Sequence, residues 1–175
     1  MAILPIRKYP SPELLVRADE VQAIDAGVRG LVADMVETMY AASGVGLAAN
    51  QVGVTSRIAV IDLSVGAKPE DLIVLINPEI VETAGSISEE EGCLSFPGIT
   101  EIVARPERLV MRALNLDGMG YTLEAAGLMA RAVCHELDHL NGVLFLDRLT
   151  GFKKERVRKQ VRQSVRAGEW AEVYP

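Results

Sequence analysis

The chain has 175 residues, 49% of them hydrophobic and 24% charged, and carries a formal net charge of −6 at pH 7. This length and hydrophobic content predict a single globular domain over residues 1–175, because two domains would each have too small a core. The negative charge argues against a dedicated nucleic-acid binder, although a local basic segment could still contact one.

The N-terminal residues show no pattern of a targeting segment. Pro5, Arg7 and Lys8 interrupt the apolar start, unlike the continuous core of a secretory signal, and no run approaches membrane-spanning length. The only cysteines are Cys93 and Cys134, which give no disulfide framework and are typical of a reducing compartment. We therefore expect a cytoplasmic protein without a membrane segment.

The first helix is predicted over residues 25–42, where apolar side chains recur at helical spacing up to a stop at Ser43 and Gly44. The β-branched segments RIAVIDL, LIVLINPEIVE, ISEEEGCLS and ITEIVARPERLVMRALNL follow and predict strands. Strands clustered in the middle of the chain indicate an α+β fold with mostly antiparallel sheets.

Two more helices are predicted after a hairpin-like turn at Asp117 and Gly118. The segment LEAAGLMARAVCHELDHLNG predicts a central helix that ends at Asn141 and Gly142. A charged C-terminal helix is predicted over about residues 151–167.

The segment GVGLAANQVG at 44–53 has the G-x-G-x-x-A spacing of a dinucleotide-binding turn. Asp62 follows close to the usual distance of the acidic residue that binds the ribose in such sites. Such a turn needs a strand before the glycines and a helix after them, so that the helix N-terminus meets the pyrophosphate. Here the predicted order is the reverse, which disfavours a nucleotide site.

The strongest motif is His135-Glu136-Leu137-Asp138-His139, an H-E-x-x-H sequence on the predicted central helix. Residues four apart lie one turn from each other, so both imidazoles can bind one divalent ion with Glu136 beside it. These are the only histidines of the chain, and the surrounding helix is apolar. The pattern predicts a hydrolytic metal site, and two histidines that merely pack the helix are the alternative.

A catalytic site of this kind needs a third protein ligand and one open position. No histidine remains, and Cys93 in EEGCLSFPG is the best candidate, with a small buried core cysteine as the alternative. Cys134 is next to His135, so it points about 100° away from the ligand face and is predicted to be a packing residue. A His-His-Cys set suits zinc, ferrous iron, cobalt or nickel.

Three segments together, GVGLAANQ at 44–51, EGCLS at 91–95 and HELDH at 135–139, closely resemble the peptide deformylase family. The resemblance covers almost the whole chain. It implies an enzyme that removes the N-terminal formyl group from formylmethionine of nascent polypeptides and releases formate. It also implies sheets packed around the central helix.

The resemblance assigns roles to individual residues. It implies Cys93, His135 and His139 as ligands of one divalent metal, Fe²⁺ in the cell, with Zn²⁺, Ni²⁺ or Co²⁺ as alternatives. It implies Glu136 as the acid/base. Further residues that it implies are the oxyanion donors Gln51 and Leu94 (backbone N–H), the substrate-binding residues Val45, Gly46, Leu128 and Ala132, and the supporting ion pair Glu91–Arg105.

Two positions depart from the apolar pocket of the family, Glu89 and Arg131. They affect the expected polarity at the mouth of the pocket and leave the catalytic set intact. A zincin-like endopeptidase is a second catalytic interpretation, although EGCLS offers cysteine where those enzymes use His or Glu. A non-catalytic metal-binding or ribosome-associated module is the third interpretation.

The C-terminal helix carries a basic row at every fourth residue beside a row of valines. Those rows are Lys154, Arg158, Arg162 and Arg166, and Val157, Val161 and Val165. The valines can pack on the body while the basic row faces outward. A solvated helix face is one interpretation, and the family resemblance implies another, transient contact with the ribosome. The protein itself is expected to be a monomer.

Overall fold

Strands occupy the middle of the chain, and helices lie before and after them. A computed structural model describes residues 2–170, that is, all residues except Met1 and 171–175. The helices are α1 (Ala26–Ala41), α2 (Gly127–Leu140) and α3 (Gly151–Arg166). The strands are β1 (Gly46–Ala48), β2 (Ile58–Ile61), β3 (Ile73–Ala84), β4 (Ile87–Gly92), β5 (Thr100–Arg105), β6 (Arg108–Leu114) and β7 (Gly120–Ala126).

Two antiparallel sheets surround α2. A five-stranded sheet has the order β1-β2-β3-β6-β7, and β4 and β5 form a separate two-stranded sheet. Apolar side chains of α2, among them Val133 and Leu137, pack with Leu75 and Met111 of the large sheet. All residues from Ala130 to Leu140 are buried. The predicted α+β fold with a central HELDH helix is confirmed.

Helix α1 forms where the apolar spacing predicted it. Asp25 is its N-cap, and its side chain accepts a hydrogen bond from the Val28 N–H at 2.9 Å. Met35 and Met39 on the inner face are fully buried against Leu47 and Ile58. Burial of this face fixes the position of β1, which follows the helix.

The start of the central helix was predicted too early. Residues 123–126 belong to β7, which pairs with β6 along its whole length, from Gly120 opposite Leu114 to Ala126 opposite Arg108. The helix begins only at Gly127, whose φ of +56° is left-handed and favours glycine. Pairing with β6 therefore outweighs the good helix propensity of the LEAA segment.

The long β-favouring tract after residue 98 is divided between the two sheets. β5 pairs with β4 in the small sheet, whereas β6 pairs with β3 and β7 in the large sheet. The break falls at Pro106, which has no N–H to donate to a ladder. The two halves of the tract therefore belong to different sheets, and both contact α2.

The GVGLAANQVG segment forms strand β1 and then a single 3-10 turn at Ala49–Val52. Helix α1 comes before it and strand β2 after it, as the sequence predicted. No helix N-terminus is therefore available to a pyrophosphate at these glycines.

Among residues 2–170, none of the helices combines the length and apolar character that spanning a membrane requires.

Candidate functional site

Helix α2 carries both histidines on one face. Their Nε2 atoms lie 3.2 Å apart, as expected for residues four positions apart on a helix. His139 is 1% exposed, and burial lowers the pKa of its imidazole well below the usual value. His139 is therefore neutral and has a lone pair to offer a metal ion.

Cys93 reaches the histidines from the turn after β4. Its Sγ lies 3.2 Å from His139 Nε2, and the ligand atoms of Cys93, His135 and His139 all lie within 4.8 Å of one another. In a tetrahedral site with metal–nitrogen bonds of about 2.0–2.1 Å, two nitrogen ligands are about 3.3–3.4 Å apart. The separation of the two histidine nitrogens and the thiol and imidazole donor set both fit a divalent metal ion.

Glu91 of β4 fixes the ring of His135. Its Oε1 lies 2.7 Å from His135 Nδ1, so this nitrogen donates its proton to the carboxylate and Nε2 faces the metal position. Although burial raises the pKa of Glu91, hydrogen bonds from His135 and Arg105 hold it well below the usual range. Glu91 is thus an anion in the protein interior.

Three arginines surround this carboxylate and its neighbour Asp138. Arg105 donates to Glu91 at 2.6 and 3.0 Å and to Asp138 at 2.6 Å, and Arg131 donates to Glu91 at 2.9 Å. Arg148, after α2, holds Asp138 from the other side with two hydrogen bonds. The charges of Glu91 and Asp138 are therefore compensated, which a buried anion requires.

Sequence reasoning identified the Glu91–Arg105 pair by resemblance and missed the rest of this network. Asp138 lies inside the HELDH motif, and Arg131 was noted only as a departure at the pocket mouth. The sequence did offer a signal, because charged residues such as Arg131 and Asp138 on a largely apolar helix need partners when the helix is buried. Arg131 is only 4% exposed, and it also donates to the Val103 carbonyl at 3.0 Å, so its charge is directed into the protein.

Glu136 faces the cleft from α2. Its side chain is 3% exposed, and its Oε2 has no hydrogen-bond partner among the described residues. Burial raises the pKa of Glu136 to about 7. A β-carbon at Gly46 would lie 2.3 Å from Glu136 Oε1, so only glycine lets the backbone of β1 approach this carboxylate.

Gln51 lies in the 3-10 turn after β1 and is held by both ends of its amide. Its Oε1 accepts a hydrogen bond from the Ala48 N–H at 2.9 Å, and its Nε2 donates to Ser95 Oγ at 3.2 Å. The same Nε2 lies 3.7 Å from Cys93 Sγ. Ser95 is a supporting residue that sequence reasoning missed. These contacts leave the amide N–H₂ of Gln51 directed at the cluster of ligands.

The next predicted donor, the Leu94 backbone N–H, follows Cys93 directly. Within residues 2–170 it donates to no backbone carbonyl, so it is free to bind a ligand. A β-carbon at Gly44 would lie 2.8 Å from the Leu94 side chain, so this close contact also depends on glycine.

A cleft of about 560 Å³ brings the predicted substrate residues together with the catalytic candidates. It is lined by Val45, Gly46, Gln51, Cys93, Leu94, Leu128, Ala132, His135 and Glu136. His139 lies behind it, buried beneath Cys93 and His135. Leu128 is 54% exposed, so an apolar side chain of a ligand could cover it. Arg131 also lines the cleft, whereas Glu89, half exposed, is not among the lining residues and lies 3.7 Å from the Arg131 Nε.

Cys134 does not join this group. It is 6% exposed and packs among apolar residues between α2 and the large sheet. Burial raises the pKa of its thiol, which keeps it protonated. The prediction of a packing cysteine is confirmed.

Comparison with known proteins finds similarity to peptide deformylases over nearly the full length of the chain. The sequence model of the family described as Polypeptide deformylase matches residues 3–155. A peptide deformylase of Acidobacterium capsulatum is 49% identical over 97% of this chain and 100% of its own length. The crystal structure of a Legionella pneumophila peptide deformylase covers 97% of this chain and 99% of its own, with TM-score 0.89 and 40% identity. A peptide deformylase of Ehrlichia chaffeensis in complex with actinonin covers 95% and 99%, with TM-score 0.85 and 37% identity.

Proposed function

The chain belongs to the peptide deformylase family, and we propose that it hydrolyses the N-terminal formyl group of formylmethionine on newly synthesised polypeptides and releases formate. One observation carries this proposal. The buried carboxyl group of Glu136, whose Oε2 has no hydrogen-bond partner among the described residues, faces a cleft lined by Cys93, His135, Gln51 and Leu94, with the third candidate ligand, His139, directly behind it. This combination serves hydrolysis of an amide and has no use at a closed structural metal site.

Cys93, His135 and His139 would hold one divalent ion. A bound ion there supplies Lewis acidity, which makes water a better nucleophile at neutral pH and polarises a carbonyl oxygen. The thiolate partly neutralises the ion and suits softer metals. We propose Fe²⁺ as the metal in the cell, with Zn²⁺, Ni²⁺ or Co²⁺ able to replace it.

Glu136 moves the proton in the proposed mechanism. Its carboxylate accepts a proton from the attacking water and passes it to the nitrogen of the leaving amine as the amide bond breaks. Burial favours its neutral form, and the pKa falls from about 7 once a cation is bound nearby. Glu136 can therefore take up and release a proton near neutral pH.

Gln51 and the Leu94 N–H are the proposed oxyanion donors. As the formyl carbon becomes tetrahedral, its oxygen gains negative charge, which fixed N–H groups stabilise more than they stabilise the planar substrate. Ala48 and Ser95 hold the Gln51 amide in place before substrate arrives. A neutral amide suits this task because it donates without adding charge to the metal site.

The substrate backbone is proposed to lie along Val45 and Gly46 in an extended conformation. The N–H and C=O groups of a strand segment can pair with an extended peptide. Leu128 and Ala132 would contact the methionine side chain, since both line the cleft from the first turns of α2. The charge of Arg131 is bound by Glu91, which leaves these apolar surfaces available.

The proposal predicts formate release from formyl-Met-Ala-Ser by anaerobically prepared, iron-loaded protein. Formate and metal content are measured on the same sample, and removal of the metal with a chelator is expected to abolish release. Acetyl-Met-Ala-Ser and an internal peptide amide serve as controls. Cleavage of the internal amide without formate release would instead indicate an endopeptidase.

We also propose a monomeric single domain over residues 1–175 that acts in the cytoplasm. Packing of α2 against both sheets supports one domain. Residue 1 and residues 171–175 lie outside the described part of the chain.

Helix α3 is the proposed site of ribosome contact. Val157 and Val161 are buried against the body, as predicted, whereas Val165 is 42% exposed. On the other side Arg158, Arg162 and Arg166 are exposed. The helix is anchored by ion pairs of Lys153 and Arg156 with Glu101, so its outer arginines can bind phosphates without moving the helix.

Charge reversal of Arg158 and Arg162 to Glu should weaken co-sedimentation with ribosomes roughly tenfold, since two phosphate contacts become repulsive. Formate release from a formyl-peptide should be unchanged. A matched control reverses Arg29 and Arg108, which are exposed elsewhere and alter the net charge equally. Equal co-sedimentation of the two double variants would contradict ribosome binding through α3.

A further inference from the structure

A second cavity, of about 630 Å³, is lined by a different face of α2 from the one that lines the catalytic cleft. The two cavities share no lining residue. This one is bounded by the C-terminal half of α2, by the turn after β5 and by residues 17–20. Its volume is in the range of small-molecule sites, and none of the proposed metal ligands, the acid/base or the oxyanion donors lines it.

Arg57 forms part of its wall and is only 6% exposed. Nη1 donates to the Leu140 carbonyl at 3.2 Å and to Asn141 Oδ1 at 2.9 Å, and Nη2 donates to the Pro78 carbonyl at 3.2 Å. These contacts fix the plane of the guanidinium. Within residues 2–170, Nε makes no hydrogen bond and no carboxylate lies within ion-pair distance of this group.

A buried cation without a counterion is unusual, because dipoles compensate its lost hydration only in part. Burial lowers the pKa of Arg57, and the charge of Arg17 lowers it further. Arg17 is exposed, lines the same cavity and makes no ion pair among the described residues. Two positive charges from separate segments therefore face one space.

The other charges at this cavity do not neutralise the pair. Arg105 and Arg148 are already bound to Asp138. Glu20 and Glu79 lie at the rim, both exposed, and neither forms an ion pair with the described arginines. The positive charges of Arg57 and Arg17 are therefore opposed mainly by Glu20. The charge of Glu20 raises the pKa of Arg57.

We propose that this cavity binds the phosphate group of a small molecule, with Arg57 as a fixed donor and Arg17 as a mobile second cation. Guanidinium groups match the oxygens of phosphate, and two cations favour a dianion over a singly charged carboxylate. The volume exceeds that of phosphate itself, so an organic phosphate would fill it better than the free ion.

The test is an NMR titration of zinc-loaded full-length protein with inorganic phosphate at constant ionic strength. A parallel titration with acetate shows whether a singly charged carboxylate binds equally well. The expected result is a saturable shift of the Arg57 Nε–H resonance by phosphate and a weaker effect of acetate. Ribose 5-phosphate is titrated separately, and tighter binding than that of phosphate would assign the site to organic phosphates. Amide resonances of residues 93 and 135 report binding at the metal position independently.

Substitutions of two exposed residues are expected to change phosphate affinity in opposite directions without disturbing the core. Arg17→Gln should weaken phosphate binding about twofold to fivefold, and Glu20→Gln should strengthen it by a similar factor. Arg57→Lys keeps the charge and loses the planar fork, so binding should fall more than about tenfold. An unmoved Arg57 resonance, shifts confined to residues 93 and 135, or equal affinities of the two exposed variants would each overturn the proposal.

Discussion

Glu136→Gln is expected to retain the metal ion and to lower kcat/KM for formyl-Met-Ala-Ser by about 10²- to 10⁴-fold, the usual contribution of a general acid/base. Glutamine keeps the size of the side chain beside Gly46 and cannot accept the proton of the attacking water. The three ligand side chains are untouched, since Glu136 makes no hydrogen bond to any of them. Metal content and turnover are measured on the same preparation.

The loss should appear in kcat more than in KM, because Glu136 acts on the reaction step while the cleft that binds substrate is unchanged. Gln51→Ala is the comparison variant. It removes an oxyanion donor and should cost about 10²- to 10³-fold with the metal retained. Near-normal turnover of Glu136→Gln with full metal content would refute the proposed role of Glu136.

The second large effect is expected from Cys93→Ala, which should lose both the metal and the activity. Removal of a supporting partner outside the metal ligands typically lowers metal affinity about 10–100-fold, and removal of a ligand should exceed that. The remaining pair, His135 and His139, would keep their geometry on α2 but would lack the third ligand atom, Cys93 Sγ, which lies 3.2 Å from His139 Nε2. Metal affinity is measured by competition with a chelator of known strength.

Cys134→Ala is the matched control, because it removes the other thiol of the chain, one residue from His135. Its side chain packs among apolar residues, so we expect a destabilisation of about 1 kcal/mol and unchanged metal affinity. Equal metal loss in the two cysteine variants would mean that Cys93 is no ligand and that the effect arises from altered packing.

The sequence predicted some helices and strands better than others, and the difference has a physical reason. Helix α1 and the HELDH part of α2 have apolar residues at a clear helical period, and burial of that face fixes them. The segment at 123–126 has good local helix formers, but its backbone pairs with β6 across the hairpin, from Leu123 opposite Met111 to Ala126 opposite Arg108, and helix propensity does not include this pairing. Strand β1 is only three residues long and was not predicted, because it exists through its pairing with β2.

The candidate site shows the same division. Cys93, His135 and His139 were identified from spacing and from their scarcity, and the structure places their ligand atoms together. The partners that hold them were mostly not identified. Arg131 and Asp138 of α2 bond to Glu91 of β4 and Arg105 of β5, and Arg148 bonds to Asp138 from the turn after α2, so these contacts form only when α2 packs against the small sheet.

The sequence by itself determined the family, the α+β class and the residues able to carry the chemistry, because these follow from residue identity and short-range spacing. Only the tertiary structure decided the surroundings of the charged groups: arginines compensate the charge of Glu91, and among residues 2–170 Glu136 Oε2 has no hydrogen-bond partner and Arg57 has no ion-pair partner. Residues far apart in the sequence together bury a group and compensate its charge. A local sequence pattern therefore does not predict either property.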